Sequence, residues 1–212
     1  MRTVLCLSGG IDSAVLLYKL LLDGHEVDCL CIDYGQRCRA QEYKAAAELI
    51  TAIEHGGKAT LCRASFGPVL SKRLCDTSNP LMRHTGLHHR TSVLLSLAGA
   101  FAANIRLAEP PLVVYPAHAC YNYPDNSGQF YKAVADVLFQ AGEKPIKLLL
   151  PFTSMTKADI VKLGVTLKVP FHLTWSCLAA EPPYCGRCEG CLERLSAFHD
   201  AGITDPTTYT ER

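Results

Sequence analysis

The sequence predicts an α/β fold: a doubly wound five-stranded parallel sheet with a C-terminal zinc-binding appendage. Three observations predict it. Short apolar segments alternate with longer segments of helical period, the pattern of a parallel sheet with right-handed crossovers. A glycine–serine loop lies at the first strand-to-helix junction, where such sheets place their ligands. Four of the eleven cysteines crowd into the stretch from Cys177 to Cys191.

The elements follow in order. Arg2 to Leu7 is a short apolar strand. Ile11 to Asp23 carries apolar residues at Ile11, Val15, Leu16, Tyr18, Leu20 and Leu22, a mostly apolar helix. Glu26 to Asp33 is the second strand, Gln41 to Glu54 an alanine-rich helix and Lys58 to Cys62 the third strand. From about Ser65 to Arg90 the periodicity gives way to Pro, Gly, Asn and His, a stretch long enough to be functional or mobile. Thr91 to Leu107 returns to helical spacing; Leu112 to Tyr115 is a strand, Gly128 to Gln140 a helix and Ile146 to Leu150 a strand. Thr156 to Leu163 is a helix with Thr156 as N-cap and Asp159 three residues on. This divides the chain into an α/β domain over residues 1–170 and a four-cysteine segment over 171–212.

Composition narrows the classes. With 212 residues, 49% hydrophobic and 19% charged, the chain can bury a core and is not disordered. A net charge of +1 makes no overall electrostatic case for a nucleic-acid partner. No run of about 18 apolar residues is present to cross a bilayer. The apolar stretch from Met1 to Leu7 meets glycines at once, which is too short for a secretory leader. The expected compartment is the cytoplasm, where cysteines serve purposes other than disulfides.

Cys6, Cys29, Cys31 and Cys62 lie in apolar runs and read as buried packing. Cys38, Cys75 and Cys120 lie in polar, loop-like contexts. The remaining four are spaced C-x7-C-x2-C-x2-C, and Gly186 and Gly190 permit tight turns between them. Cys177, Cys185, Cys188 and Cys191 would satisfy tetrahedral Zn²⁺ with no position left for water, which makes a structural site. A redox C-x-x-C pair and an iron–sulfur cluster are the rival readings.

The sharpest signal is LSGGIDSAV, Leu7 to Val15. Gly9 and Gly10 let backbone amides approach an anion, Ser8 and Ser13 add hydroxyl donors, and the following helix turns its positive end to the same spot. The cradle suits phosphate. Walker A spacing and its lysine are absent, as is G-x-G-x-x-G. Asp12 would repel bare phosphate, but fits if Mg²⁺ lies between carboxylate and phosphate oxygens.

SGGIDS resembles the SGGxDS pyrophosphate loop of the N-type ATP pyrophosphatases, whose HUP, Rossmann-like fold agrees with the alternation above. IDYGQR (Ile32 to Arg37), YPD (Tyr123 to Asp125), TKADIV (Thr156 to Val161), TWSC followed by CGRCEGC, and the segment from Arg194 to Pro206 are similar, in order, to motifs of the 7-cyano-7-deazaguanine synthases. The resemblance spans essentially the whole chain. It implies ATP-dependent adenylation of the carboxylate of 7-carboxy-7-deazaguanine, attack by ammonia to give an amide, and dehydration to a nitrile. It implies ATP, Mg²⁺ and Zn²⁺ as cofactors, and it allows a homodimer. It places Leu7, Ser8, Gly9, Gly10, Asp12 and Ser13 at the pyrophosphate, and Asp33, Tyr34, Gln36 and Arg37 on the nucleotide and substrate side. Lys157 would contact phosphate, Arg90 would stabilise charge on the activated substrate, and Tyr123 and Asp125 would receive the deazaguanine. The four clustered cysteines coincide with the family's zinc ligands.

The chain departs from the pattern around the acceptor. It reads LHHRTS where the family carries Pro-x-Arg-Asn, so Thr91 replaces an asparagine; Asn126 and Ser127 replace Cys-Arg after YPD, and Cys38 replaces a histidine. PAHACYN, before Tyr123, lacks an expected aspartate and a Ser-Gly. An ordinary nitrile-forming enzyme is therefore expected alongside a relative that stops at the amide or joins the deazaguanine to a protein amine. His88 and His89, beside Arg90, are candidate acid–base groups. A tRNA sulfur-transfer enzyme would use the same loop with Cys38 or Cys120 as its reactive thiol, although the chain shows no basic patch. A zinc-ribbon binding module leaves SGGIDS unexplained.

Overall fold

Alternation along the strands sorts the core into two layers. Leu5, Val27, Cys29 and Cys31 face one side of the sheet, and Val4, Cys6, Leu30 and Ile32 face the other. The computed structural model describes residues 1–53, 57–65, 89–105, 112–119, 124–141, 145–179 and 181–210. Its strands are β1 (Arg2–Cys6), β2 (Glu26–Asp33), β3 (Lys58–Ser65), β4 (Leu112–Val114) and β5 (Lys147–Leu149). They form one sheet in the order β3-β2-β1-β4-β5, with every neighbouring pair parallel. Helices α1 (Ile11–Leu22), α2 (Arg39–Thr51), α5 (Lys157–Thr166) and α6 (Glu189–Ala201) supply residues to the first core layer. Helices α3 (Arg90–Asn104) and α4 (Gly128–Gln140) cover the other face. The strand order reverses between β1 and β4, so a crevice opens beyond their C-terminal ends, where α/β sheets bind ligands.

The doubly wound five-stranded sheet matches the expectation, with differences at the ends of elements. α2 begins at Arg39 and stops at Thr51, and β3 runs on to Ser65 because Arg63, Ala64 and Ser65 keep pairing with Cys31, Ile32 and Asp33. α5 continues past Leu163 to Thr166, with Thr156 and Asp159 forming the expected capping box. Cys6, Cys29 and Cys31 are buried as expected, but Cys62 is only half-buried because β3 is an edge strand. Burial pushes the thiols of Cys6 and Cys31 up to about 12, which makes them poor nucleophiles. Cys38 is buried despite its loop-like context, and its thiol donates to Glu42 Oε1 at 3.3 Å. Cys75 and Cys120 lie outside the described residues.

Helix α6 was not foreseen from the sequence. Cys188 is its N-cap and Gly202, at φ 70°, ends it. Its Ala197 and Phe198 join the core formed by α1 and α5. Arg194, fully buried, donates to Asp205 Oδ1 at 3.0 Å, Thr174 Oγ1 at 2.7 Å and the Phe171 carbonyl at 3.1 Å. A planar guanidinium with that many fixed partners sets the rotation of α6 about its axis.

α5 packs closely on α1 at Gly164. A Cβ there would overlap the Phe171 ring and lie 2.7 Å from Val15 Cγ2. Gly164→Ala is expected to lower stability by about 1–3 kcal/mol through overpacking, outweighing the roughly 1 kcal/mol that alanine gains in a helix. A denaturant midpoint that stays put or rises would contradict this packing.

Candidate functional site

Leu7 extends the sheet by one rung: its N–H donates to the Leu30 carbonyl at 3.0 Å, and its side chain is buried. The chain then turns through Gly9 at φ +75°. A Cβ at Gly9 would lie 2.7 Å from the Glu42 carbonyl oxygen and 2.8 Å from Ala45 Cβ, so only glycine lets the loop rest on α2. The Gly9 carbonyl accepts from Trp175 N–H at 2.8 Å. Ser13 Oγ donates to the Gly10 carbonyl at 3.1 Å and lies 3.3 Å from Ser8 Oγ. Gly10 is the N-cap of α1 and supplies no side-chain cap, so the helix offers its first amides and its positive end to the crevice.

Asp12 lies in the first turn of α1. Its Oδ1 is buried without a hydrogen-bond partner, while Oδ2 lies 3.5 Å from Lys157 Nζ and 3.9 Å from His118 Nε2. A buried, unpartnered carboxylate oxygen beside an anion cradle suits a hard divalent cation such as Mg²⁺. Lys157 opens α5, where the helix dipole disfavours a cation; Glu193 on α6 offsets this, accepting from its Nζ at 3.0 Å.

The loop after β2 is held by its own side chains. Asp33 Oδ1 accepts from Gly35 N–H at 3.0 Å, and its Oδ2 lies 3.3 Å from Arg63 and from Ser65 Oγ. Gln36 Oε1 accepts from Tyr34 N–H at 2.9 Å, and its amide donates to Glu42 Oε2 at 2.7 Å. Asp33 and Gln36 thus fix the loop, and Arg37 is exposed. Tyr34 hydrogen-bonds to Arg90, and burial raises the pKa of its phenol.

Arg90 begins α3 among aromatic hydroxyls. Burial opposes its charge, but the nearby Tyr34, Tyr115 and Asp125 outweigh that and raise its pKa. Thr91 Oγ1 donates to Asp125 Oδ2 at 2.7 Å, and Tyr115 hydrogen-bonds with Thr91. Tyr131 donates to Asn126 Oδ1 at 2.7 Å, and Asn126 Nδ2 donates to the His118 carbonyl at 3.3 Å. A cavity of about 350 Å³ is lined by His118, Asn126, Tyr131, Lys132 and Thr153. Buried phenols stay protonated, so Tyr34 and Tyr115 offer neutral hydroxyls near the Arg90 guanidinium and the Asp125 carboxyl group.

The structure therefore brings Asp12 together with Lys157, and Arg90 with Tyr34 and Asp125. His89 is an exposed N-cap at φ 55°. Tyr123 and His88 lie outside the described residues. Sequence reasoning missed His118, Glu193, Tyr115 and Tyr131. His118 and Tyr115 follow β4 at the switch point, which is a readable signal, whereas Glu193 depends on the unforeseen α6.

The four cysteines converge. A tetrahedral ion with bonds of about 2.3 Å spaces its sulfurs about 3.8 Å apart. Here Cys185 and Cys191 sulfurs are 3.9 Å apart, as are those of Cys177 and Cys188, and all four lie within 4.8 Å of one another. Backbone N–H groups of Leu178, Ala179, Cys185 and Cys188 donate to sulfurs at 3.3–3.4 Å. The thiols compete for charge: Cys177 and Cys191 hydrogen bonds favour thiolate at Cys188, and the Cys188 contact pushes Cys177 up to about 11. A divalent ion with four thiolates resolves that competition, so the residues fit zinc.

Comparison with known proteins places the chain in a family. The family described as "Queuosine biosynthesis protein QueC" matches residues 2–202. A 7-cyano-7-deazaguanine synthase of Archaeoglobus fulgidus is 37% identical, over 100% of this chain and 91% of that protein. One from Caldicellulosiruptor bescii is 33% identical, over 99% of this chain and 97% of that protein. The solved structure of NMN synthetase from Francisella tularensis superposes with a TM-score of 0.51 at 21% identity, covering 95% of this chain and 77% of that one. That last likeness concerns the fold alone.

Proposed function

The chain belongs to the QueC family, a family of ATP-dependent enzymes, and on that premise we propose that it adenylates the carboxylate of 7-carboxy-7-deazaguanine, releases pyrophosphate and passes the acyl group to a nitrogen nucleophile. With ammonia the first product is the 7-amide, and a second ATP-dependent step dehydrates it to the 7-nitrile. The observation that carries the reading is the buried, unpartnered Oδ1 of Asp12 beside Lys157 at the uncapped start of α1.

A carboxylate is a poor electrophile, and adenylation gives it a good leaving group. The protein's part is to position the reactants and stabilise charge. Ser8, Gly9, Gly10 and Ser13 cradle the leaving pyrophosphate, and Lys157 neutralises its charge. Mg²⁺, held by Asp12 when bound, supplies further neutralisation of the phosphates. Leu7 forms the floor. Asp33, Tyr34, Gln36 and Arg37 frame the nucleotide side, with Asp33 and Gln36 acting by fixing their loop. Arg90 stabilises the charge of the activated substrate. Asp125 accepts from the adjacent N–H groups of the guanine-like edge, with Tyr123 beside it. Residues 1–170 carry this chemistry, and residues 171–212 form a structural zinc segment. Among the described residues no helix is long and apolar enough to cross a membrane.

A second reading ends at the amide or passes the acyl group to a protein amine. Thr91 favours it: the hydroxyl at this family asparagine position is already donated to Asp125. Incubation with ATP, Mg²⁺, ammonia and 7-carboxy-7-deazaguanine, followed by mass spectrometry, separates the two. The nitrile is the expected product. Accumulation of the amide alone would replace the first reading with the second, and absence of pyrophosphate would overturn both.

A further inference from the structure

The helix that carries two of the clustered cysteines also reaches the ATP loop. α6 has Cys188 as its N-cap and Cys191 in its first turn, and Glu193 follows on the side facing α5. The Glu193 carboxylate accepts from Lys157 Nζ at 3.0 Å, and the same ammonium lies 3.5 Å from Asp12 Oδ2. Both partners are largely covered, with side chains 28% and 19% exposed, so the pair is not an ordinary surface bridge. Arg194, next in sequence, is locked to Asp205, Thr174 and Phe171, which fixes the direction in which Glu193 projects.

We propose that Glu193 is a positioning residue for ATP: it holds the Lys157 ammonium over the pyrophosphate loop and keeps its 3.5 Å ion pair with Asp12 from tightening. The proposal rests on the reading that the loop from Leu7 to Ser13 holds the phosphates of ATP. A lysine side chain is long and rich in rotamers, and one anchor leaves it free to choose its geometry. If Glu193 loses its charge, Asp12 becomes the nearest carboxylate to this ammonium. The tightened ion pair would occupy Asp12 Oδ2 and must be loosened when ATP arrives. Two carboxylates share the ammonium and leave it poised between them.

Simple electrostatics predicts the opposite sign. Removing a negative charge close to the triphosphate site should tighten ATP binding. Positioning predicts that Glu193→Gln weakens it. The test is ATP affinity in Mg²⁺, measured by calorimetry and by the fluorescence of Trp175. This is the single tryptophan, and its backbone N–H is bonded to Gly9. Glu193→Gln is expected to weaken ATP binding about 5–20-fold at an unchanged melting temperature. In a Lys157→Met background it should add less than about twofold, because residues acting as a unit are non-additive. Unchanged or tighter affinity, or an equal loss in both backgrounds, would overturn the proposal. Wild-type pyrophosphate release with 7-carboxy-7-deazaguanine is measured in parallel. Its absence would sink the proposed reaction and leave the affinity comparison standing.

Discussion

Asp12→Asn is expected to reduce pyrophosphate release by about 10²–10³-fold while leaving the melting temperature nearly unchanged. The magnitude follows from where the charge sits. Asp12 Oδ1 is buried and unpartnered, and Oδ2 faces Lys157. Asparagine keeps the size and one carbonyl oxygen but supplies no net charge for a divalent cation. Its amide would also present N–H donors, with partial positive charge, beside Lys157. Losing one preorganised charge at a site of developing phosphate charge costs about 3–4 kcal/mol, which sets the fold-change. Stability moves the other way, if at all, because a buried carboxylate oxygen without a partner is itself costly. A variant with full turnover would remove Asp12 from the reaction. A variant that loses turnover together with its folded state would make Asp12 structural. The informative outcome is inactivity in a protein at least as stable as its parent.

That site was legible in the sequence because its parts are local. The residues from Leu7 to Ser13 are contiguous, and a strand-to-helix junction in a parallel sheet already says where they lie. The cysteine cluster was legible for the same reason, its ligands falling within one short segment. Arg90 and Asp125 were named singly; their meeting through Thr91 is a contact between distant segments, and spacing alone does not reveal it. Gln36 illustrates another limit. It stands in a motif read as facing the nucleotide, yet its amide is spent on Glu42 and on its own loop. Glu193 was invisible because its role depends on the rotation of α6, which a buried arginine sets. Cys62 reads apolar in sequence, but its burial depends on whether the strand has a neighbour on both sides, and β3 has one.

Cys188→Ala is expected to cost more than any other single change, and to cost structure first. The core around the four cysteines is small: Tyr184 is buried with Cys177, Cys188 and Cys191, and Trp175, Leu178 and Tyr209 lie partly exposed against it. Apolar burial on that scale cannot order a segment of many turns by itself. Structural zinc can contribute about 10–16 kcal/mol in small metal-dependent folds, against about 5–15 kcal/mol for the whole stability of a domain. Cys188 is also the N-cap of α6, so its loss reaches Phe198 in the main core and the buried pair of Arg194 with Asp205. An uncompensated buried arginine adds several kcal/mol to the penalty. The purified wild type should carry a single zinc per chain by atomic absorption. Cys188→Ala should lose it and drop the melting temperature by more than about 10 °C, since about 1 kcal/mol moves a chain of this size by roughly 2–4 °C. Chelation of the wild type should give the same shift, with a change in Trp175 fluorescence because the Trp175 ring lies 4.6 Å, centroid to centroid, from that of Tyr184. A soluble Cys188→Ala protein with an unchanged melting temperature that lacks only turnover would place zinc in the chemistry instead of the fold.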